Sequence, residues 1–563
     1  MCIEKRNLFI RKTFQIITIT FGIIIIIGFT GCTSGCTLKA AKGNGSKRYY
    51  NPDDIVLENP KPFETRRENL DFIFNNKTLG TTTITMKRSE WNQLCENYRY
   101  FYRNENFVHV ELYEYKKDGQ SWTIKNAGLR QRGNSSRFCP QGIDNGRKQG
   151  QRNAQWSWDY YNYAERQNDD YRQAHFKIDF EEFLDKSQKS DKEGNTSSEM
   201  KMADCMKSVA LKRMDQSCGR EIFCYDMFHK YGIWTVPRAS HTRLIFNFIE
   251  DDNSITEVDY GVYEMFEEIN KQSLKARDSE NNQAPNAWKS TKGNLWKCAE
   301  ADLEYAFLTD ASGKGMGIEN TSILFDENGN RTGKIWETYP MDLKTNKDKF
   351  EQAAAELKAF IAELNDLPTP ANSNDRASID KIKAFYEKWF DVEFFMKSEA
   401  ITILFGMDDD YWGNGNNYYL YFDTATKKST GKVYFIPFDF DNTLGCSIHQ
   451  GGLTNNPLNW GLDEDRPLMD KLLMVPEYQK RFKELLLEVS SKDSFWNFED
   501  CKEQFLYWKK MVEPYLASRD LDSRNSVKAW NDFTWCPGGY SLTYKSNNVF
   551  DATRRSFEKW LAE

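Results

Sequence analysis

Between Met407 and Gly445 the chain reads MDDDYWGNGNNYYLYFDTATKKSTGKVYFIPFDFDNTLG. The side chains there that can do chemistry mostly offer oxygen. Asp408, Asp409 and Asp410 open the stretch, the amides of Asn414, Asn416 and Asn417 follow, and Asp439 and Asp441 close it. Carboxylates and amides delivered from a loop and a nearby strand end suit a hard cation such as Mg²⁺, which usually also holds a phosphate. The chemistry indicated is metal-assisted phosphoryl chemistry.

Asp439 and Asp441 end an apolar run from Val433 to Phe438. Side chains two apart on a strand share a face, and two carboxylates so placed repel unless a cation lies near them. Any single acid of the Asp408–Asp410 run also reads as part of a solvated turn. The set reads differently, because the three asparagines follow directly and a strand then begins. An Asp that accepts a hydroxyl proton, with a metal-binding Asn several residues later, is the arrangement of a kinase catalytic loop. FDFDNTL (Phe438–Leu444) also fits the DxDxT pattern of haloacid-dehalogenase-type phosphatases. There Asp439 would be the phosphorylated nucleophile and Asp441 its general acid. That chemistry needs an alternating β/α sheet after the motif, whereas the remaining residues, about 120, read helical by period.

The elements that must position these residues fall into two halves. Thr81–Met86 and Phe107–Tyr115 alternate as strands. Between them Ser89 is placed to cap a helix carrying Trp91, Leu94, Tyr98 and Phe101. Leu129–Arg137 (LRQRGNSSR) is a strand running into a Gly-Asn-Ser-Ser turn, and Ala174–Phe180 (AHFKIDF) alternates again. The Gln-, Asn- and aromatic-rich stretch 140–173 reads as an inserted loop and 186–201 as a second one. Gly219–Lys230 is a helix with Gly232 just past its end, and 241–249 with 258–266 form a hairpin. From residue 346 onward the pattern is helical, interrupted by the strands 418–422 and 433–438.

The N-terminus reads as an address. Basic residues precede the apolar run Phe14–Phe29, and Gly31-Cys32 follows. That is a secretory signal ending in a lipobox-like cleavage site, with Cys32 as the lipidated first residue. Cleavage removes Cys2 and leaves eleven of the twelve cysteines. They are scattered without CxxC pairs or His partners, so zinc is not indicated. Net charge is −7, which excludes general nucleic-acid binding, and aromatics reach 15%.

Eight short segments in fixed order carry a resemblance. They are LRQRGNSSR, HFKIDF, GREIFCYDMFHKYGI, YGVYEMFEEI, NLWKC, GMDDDYWGNGNNYYLYFD, FIPFDFDNTLG and RPLMDKLL. With them the chain resembles the CotH family of spore-coat-kinase-like proteins, in its lipoprotein form. The resemblance implies an α+β, atypical protein-kinase-like two-lobed fold, β-rich in its N-terminal half and helical in its C-terminal half, with an inserted hairpin carrying the acidic site. It implies an ATP–Mg²⁺ site and phosphoryl transfer to Ser or Thr of a protein acceptor. Asp409 would be catalytic, with Asp410 as the neighbouring alternative, and Asp439, Asp441 and Asn417 would bind metal. For the nucleotide, the candidates are Lys177 held by Glu221, and the turn Gly133-Asn134-Ser135. The expected layout is signal 1–31, tether 32–60, β-rich part 61–345 and helical part 346–563, anchored outside the cytoplasm through lipid. Two alternatives stand beside the kinase: a non-catalytic adhesion protein on the same fold, its Trp and Tyr contacting glycans or another surface, and the DxDxT phosphatase.

Overall fold

The computed structural model describes residues 47–562 apart from 134–136, 143–170, 185–201, 204, 214–216, 218, 299–302, 447–451, 462–464 and 517–538. Cys32 and most of the 140–173 and 186–201 loops lie outside the described residues. Tyr49–Glu563 forms one compact unit.

Seven strands make a closed barrel: β1 (Gly80–Lys87), β2 (Val108–Lys117), β3 (Gln120–Gln131), β4 (Phe176–Asp179), β5 (Ser208–Arg213), β6 (Ala239–Ile249) and β7 (Ile255–Glu267). The order is β1-β2-β3-β4-β5-β7-β6, and closure comes from β1 lying parallel to β6 over Gly80↔Thr242 to Lys87↔Ile249. Closure leaves no free sheet edge. The helix Arg88–Tyr100 packs its Trp91 against Phe246 and Phe248, with ring centroids 5.0 and 4.9 Å away. Ser89 does not cap that helix. The N-cap is Lys87, without a side-chain bond, because β1 runs straight into the first turn.

Beyond the barrel lie β8 (Asn294–Cys298), β9 (Met316–Gly317), a small pair β10 (Ile323–Phe325) and β11 (Arg331–Lys334), then β12 (Met341–Leu343), β13 (Tyr418–Asp423) and β14 (Lys432–Pro437). The sheet order is β14-β13-β8-β12-β9. The acidic hairpin is therefore no isolated insertion between helices. β13–β14 pair antiparallel, as the sequence suggests, but they are the edge of a five-stranded sheet that straddles residue 345. β8 has five residues and finds its partners, β12 and β13, far along the chain, so no local periodicity marks it. The sheet also lacks the β/α alternation of the phosphatase reading: β14 is an edge strand whose neighbour, β13, is antiparallel.

The second half is helical, with Phe350–Asn365, Arg376–Trp389, Val392–Leu404, Pro476–Ser490, Phe498–Val512 and Val549–Ala562 the longest members. The helix Arg220–Lys230 joins the two halves. Phe223 packs on Phe505 and Phe550, Phe228 on Phe405 and Phe440, and Tyr225 on Phe266 of β7. Gly232 follows at φ 85°, a left-handed turn that glycine adopts without a Cβ penalty.

Candidate active site

Strand β5 supplies the cation at the centre of the site. All six of its residues are buried, so β5 shows no apolar–polar alternation and stands out in the sequence only by Lys212 and Arg213. β5 pairs with β4 and β7, placing Ala210 beside Lys177 and Lys212 beside Glu264. Lys177 and Lys212 thus lie on neighbouring strands and one sheet face. Only Lys212 reaches the helix. Its Nζ donates to Glu221 Oε2 at 2.6 Å and to Asp439 Oδ1 at 2.5 Å, and lies 3.1 Å from Asp441 Oδ2. Lys177 instead pairs with Glu268 at 3.3 Å. The lysine expected to meet Glu221 is therefore corrected from Lys177 to Lys212, one strand over.

The helix Arg220–Lys230 contributes two groups one turn apart. Tyr225 Oη donates to Glu221 Oε1 (3.3 Å) and accepts from the Asp439 backbone N–H (2.8 Å). This ties the helix to the turn after β14. Asp439 takes φ 62°, a left-handed conformation that Asp tolerates better than most residues. One oxygen from each of Glu221, Asp439 and Asp441 lies within 4.8 Å of the others. Three carboxylates around one ammonium leave negative charge in excess, so this donor set fits a divalent oxygen-binding cation. Burial works against ionised Asp439, but Lys212, then Arg132 and Lys297, hold it below the ordinary carboxylate range. Burial pushes Glu221 the other way, up to about 8, opposed by Lys212 and reinforced by Asp439 and Asp441. Glu221 is only 3% exposed, whereas Asp439 and Asp441 are 38% and 41% exposed. The aspartates, not the glutamate, are open to solvent.

Asp409 arrives from the loop between Val392–Leu404 and β13. Its Oδ1 accepts from Asn414 (2.7 Å) and Asn416 (3.2 Å), and its Oδ2 from Asn417 (3.0 Å) and Asn442 (3.4 Å). The last bond crosses to the Asp439–Asp441 segment, so the two acidic stretches meet. Burial raises Asp409 to about 7 against the pull of the amides, with Asp441 and Asp439 adding to it. Asn417 Nδ2 also donates to Asp409 O (2.9 Å), so this asparagine is first of all a brace for Asp409. Gly413 is required by contact. A Cβ there would lie 2.2 Å from the Asp408 carbonyl oxygen.

A family model described as CotH kinase protein matches residues 129–533. The chain belongs to the CotH family. No curated protein and no solved structure matches it. The span that CotH covers contains Lys212, Glu221, Asp409, Asp439 and Asp441, all drawn together here.

The remaining CotH candidates divide. Gly133 sits two residues past β3 at φ 99°, and its carbonyl accepts from Arg137, which also donates to the Asn104 carbonyl. Asn134 and Ser135 lie outside the described residues. Asp410 stands behind the site as an N-cap, its Oδ1 accepting from Gly413 N at 2.6 Å. Its Oδ2 and both carboxylate oxygens of Glu399 are buried without hydrogen-bond partners. Burial raises Asp410 to about 8, against the pull of Gly413 N–H and with Asp408 and Asp409 adding to it, and burial raises Glu399 well above its ordinary value, with Asp410 adding to that.

This buried acid has a pH signature. Folded Asp410 keeps a proton that the unfolded chain releases near 3.8. Its contribution to stability is complete below that value and is lost as pH rises to about 8, at about 1.4 kcal/mol per pH unit for one proton. Asp410→Asn keeps an acceptor for Gly413 N–H and removes the proton. Urea unfolding at pH 5, 6.5 and 8 should show a shallower fall in stability for the variant. Equal slopes in parent and variant would show that Asp410 is ionised in the fold.

Proposed function

We propose that this CotH protein is an atypical protein kinase anchored outside the cytoplasm, transferring the γ-phosphoryl group of Mg–ATP to Ser or Thr of a protein acceptor. One observation carries the reading: Lys212 joins Glu221 to Asp439 and Asp441 beside the braced carboxylate of Asp409. In phosphoryl transfer the protein supplies position and charge rather than covalent chemistry. The barrel and the helical half then act as the two lobes. Glu221 and Tyr225 hold Lys212 and Asp439 at their junction. Asp439 and Asp441, with Asn417 as an auxiliary oxygen donor, would hold Mg²⁺, which neutralises phosphate charge when bound. Lys212 meets the phosphates. Asp409, held by four amides, orients the acceptor hydroxyl and takes its proton, a role that a value near 7 suits.

The direct test is transfer of labelled γ-phosphate from Mg–ATP to protein, followed by mass spectrometry for phosphoserine and phosphothreonine. Absence of both transfer and Mg²⁺-dependent nucleotide binding would sink the reading in favour of the adhesion alternative. The anchor has its own test. Cys32→Ala is expected to move the protein from the membrane fraction to the soluble envelope fraction. Continued membrane retention of that variant counts against lipidation at Cys32.

A further inference from the structure

A second group of cations approaches Asp439 from the five-stranded sheet. Lys297 of β8 lies opposite Tyr419 of β13 on one side and Asp342 of β12 on the other. Residues opposite one another in a sheet share a face, so these three side chains point the same way. Tyr419 meets the ring of Phe438, the residue before Asp439, with centroids 5.2 Å apart. Lys297 Nζ lies 5.1 Å from the Phe438 ring and 6.0 Å from the Tyr419 ring. The ammonium therefore sits beneath the residue that leads into the acidic turn.

The barrel brings its own cations to this region. Arg132 and Lys177 both reach Glu268, at 3.9 and 3.3 Å. Lys344, following β12, pairs with Asp342 and lies 3.5 Å from Glu319. Among the described residues, each of these three has a carboxylate within ion-pair distance and Lys297 has none. Burial lowers the Lys297 pKa, Lys344 and Arg132 add to the effect, and Glu319 and Glu268 oppose it from a distance. The fields of Arg132 and Lys297 reach Asp439 itself. A partly desolvated cation with no carboxylate in contact costs free energy until an anion meets it. Rings supply only part of that compensation.

We propose that Lys297 binds the polyphosphate of the nucleotide from the sheet side while Lys212, with Arg132 and Lys177, holds it from the barrel side. The proposal rests on the kinase reading for the identity of the ligand. The recognised chemistry is a compact polyanion carried with a divalent cation, and the nucleoside is not needed for it.

Isothermal titration with Mg²⁺–triphosphate, Mg–ATP and adenosine tests this on the full folded domain. The parent should bind triphosphate, and Lys297→Met should weaken triphosphate and ATP by about tenfold, the scale of one charge-assisted hydrogen bond. Any adenosine binding should be unchanged. Lys297→Arg should restore most of the affinity, and Lys510→Met, at an exposed helical position, should behave as the parent. Should Lys297→Met fail to fold by circular dichroism, Lys297→Gln carries the same expectation. No binding of triphosphate by the parent, or parental affinity in the Lys297 variants, overturns the proposal. The two readings fail separately. Triphosphate binding through Lys297 without any protein phosphorylation removes the kinase and leaves the anion site. Phosphorylation with an unchanged KM for ATP in Lys297→Met removes the anion site and leaves the kinase.

Discussion

Asp409→Asn should lower phosphoryl transfer by about 10²–10⁴-fold, the usual contribution of a positioned acid or base, and leave Mg–ATP affinity within about twofold. Asn keeps one oxygen for the bracing amides but cannot take a proton. Its neighbours Asn414, Asn416, Asn417 and Asn442 contact the carboxylate itself, and Asp409 makes no bond to Lys212. Asp439→Asn should behave oppositely. It removes the charge that Lys212 and Arg132 hold below the usual carboxylate range and takes one oxygen ligand from the Glu221–Asp439–Asp441 group. Mg–ATP affinity should fall by about tenfold or more, and transfer with it. Calorimetric titration with Mg–ATP, run beside single-turnover transfer, separates the two variants. If Asp409→Asn loses nucleotide as completely as Asp439→Asn, the division of labour between the two aspartates is wrong.

The second large effect lies at Lys212. Its side chain is 10% exposed and its partner Glu221 3%. Removing one member of a buried pair strands the other, at a cost of about 3–5 kcal/mol when both are fully buried. Asp439 and Asp441 are more than a third exposed and stay solvated, and Glu221, already pushed up to about 8, keeps a proton when Lys212 is removed, so the penalty reduces to the lost charge-assisted hydrogen bond. Lys212→Met is therefore expected to lose transfer and about 2 kcal/mol of stability. Adding Glu221→Gln removes the unpaired carboxyl group and keeps an acceptor for Tyr225. The double variant should recover most of the stability and none of the transfer. Urea unfolding of the three proteins checks this, and a Lys212→Met protein as stable as the parent would show that the pair is not buried as described.

The error over Lys177 shows where local pattern stops being informative. Lys177 was visible because β4 alternates around it. Lys212 was hidden because β5 is enclosed on both sides and its apolar residues make no rhythm. Both strands precede the helix that carries Glu221, and the choice between them is made by pairing: β5, not β4, lies next to β7, and from there Lys212 reaches Glu221. The sheet behind the acidic hairpin was missed for a related reason. Asn294–Cys298 is short, and its partners Tyr418–Phe422 and Met341–Leu343 are distant in the chain. Lys297 acquires its meaning only from that pairing.

What the chain determined by itself were the features that depend on neighbours in sequence. The oxygen-rich composition of Met407–Gly445, the β13–β14 hairpin, the helix Arg220–Lys230 with Gly232 after it, and the family are all legible there, because turn chemistry, periodicity and short motifs act over a few residues. What only the tertiary structure decided were the partners: Lys212 rather than Lys177 for Glu221, Asn417 as a brace on Asp409, Asp410 as a buried cap, and barrel closure between β1 and β6. Each of these depends on contacts between segments far apart in the chain, whose selection follows from packing and charge pairing summed over the whole molecule and not from any window of its sequence.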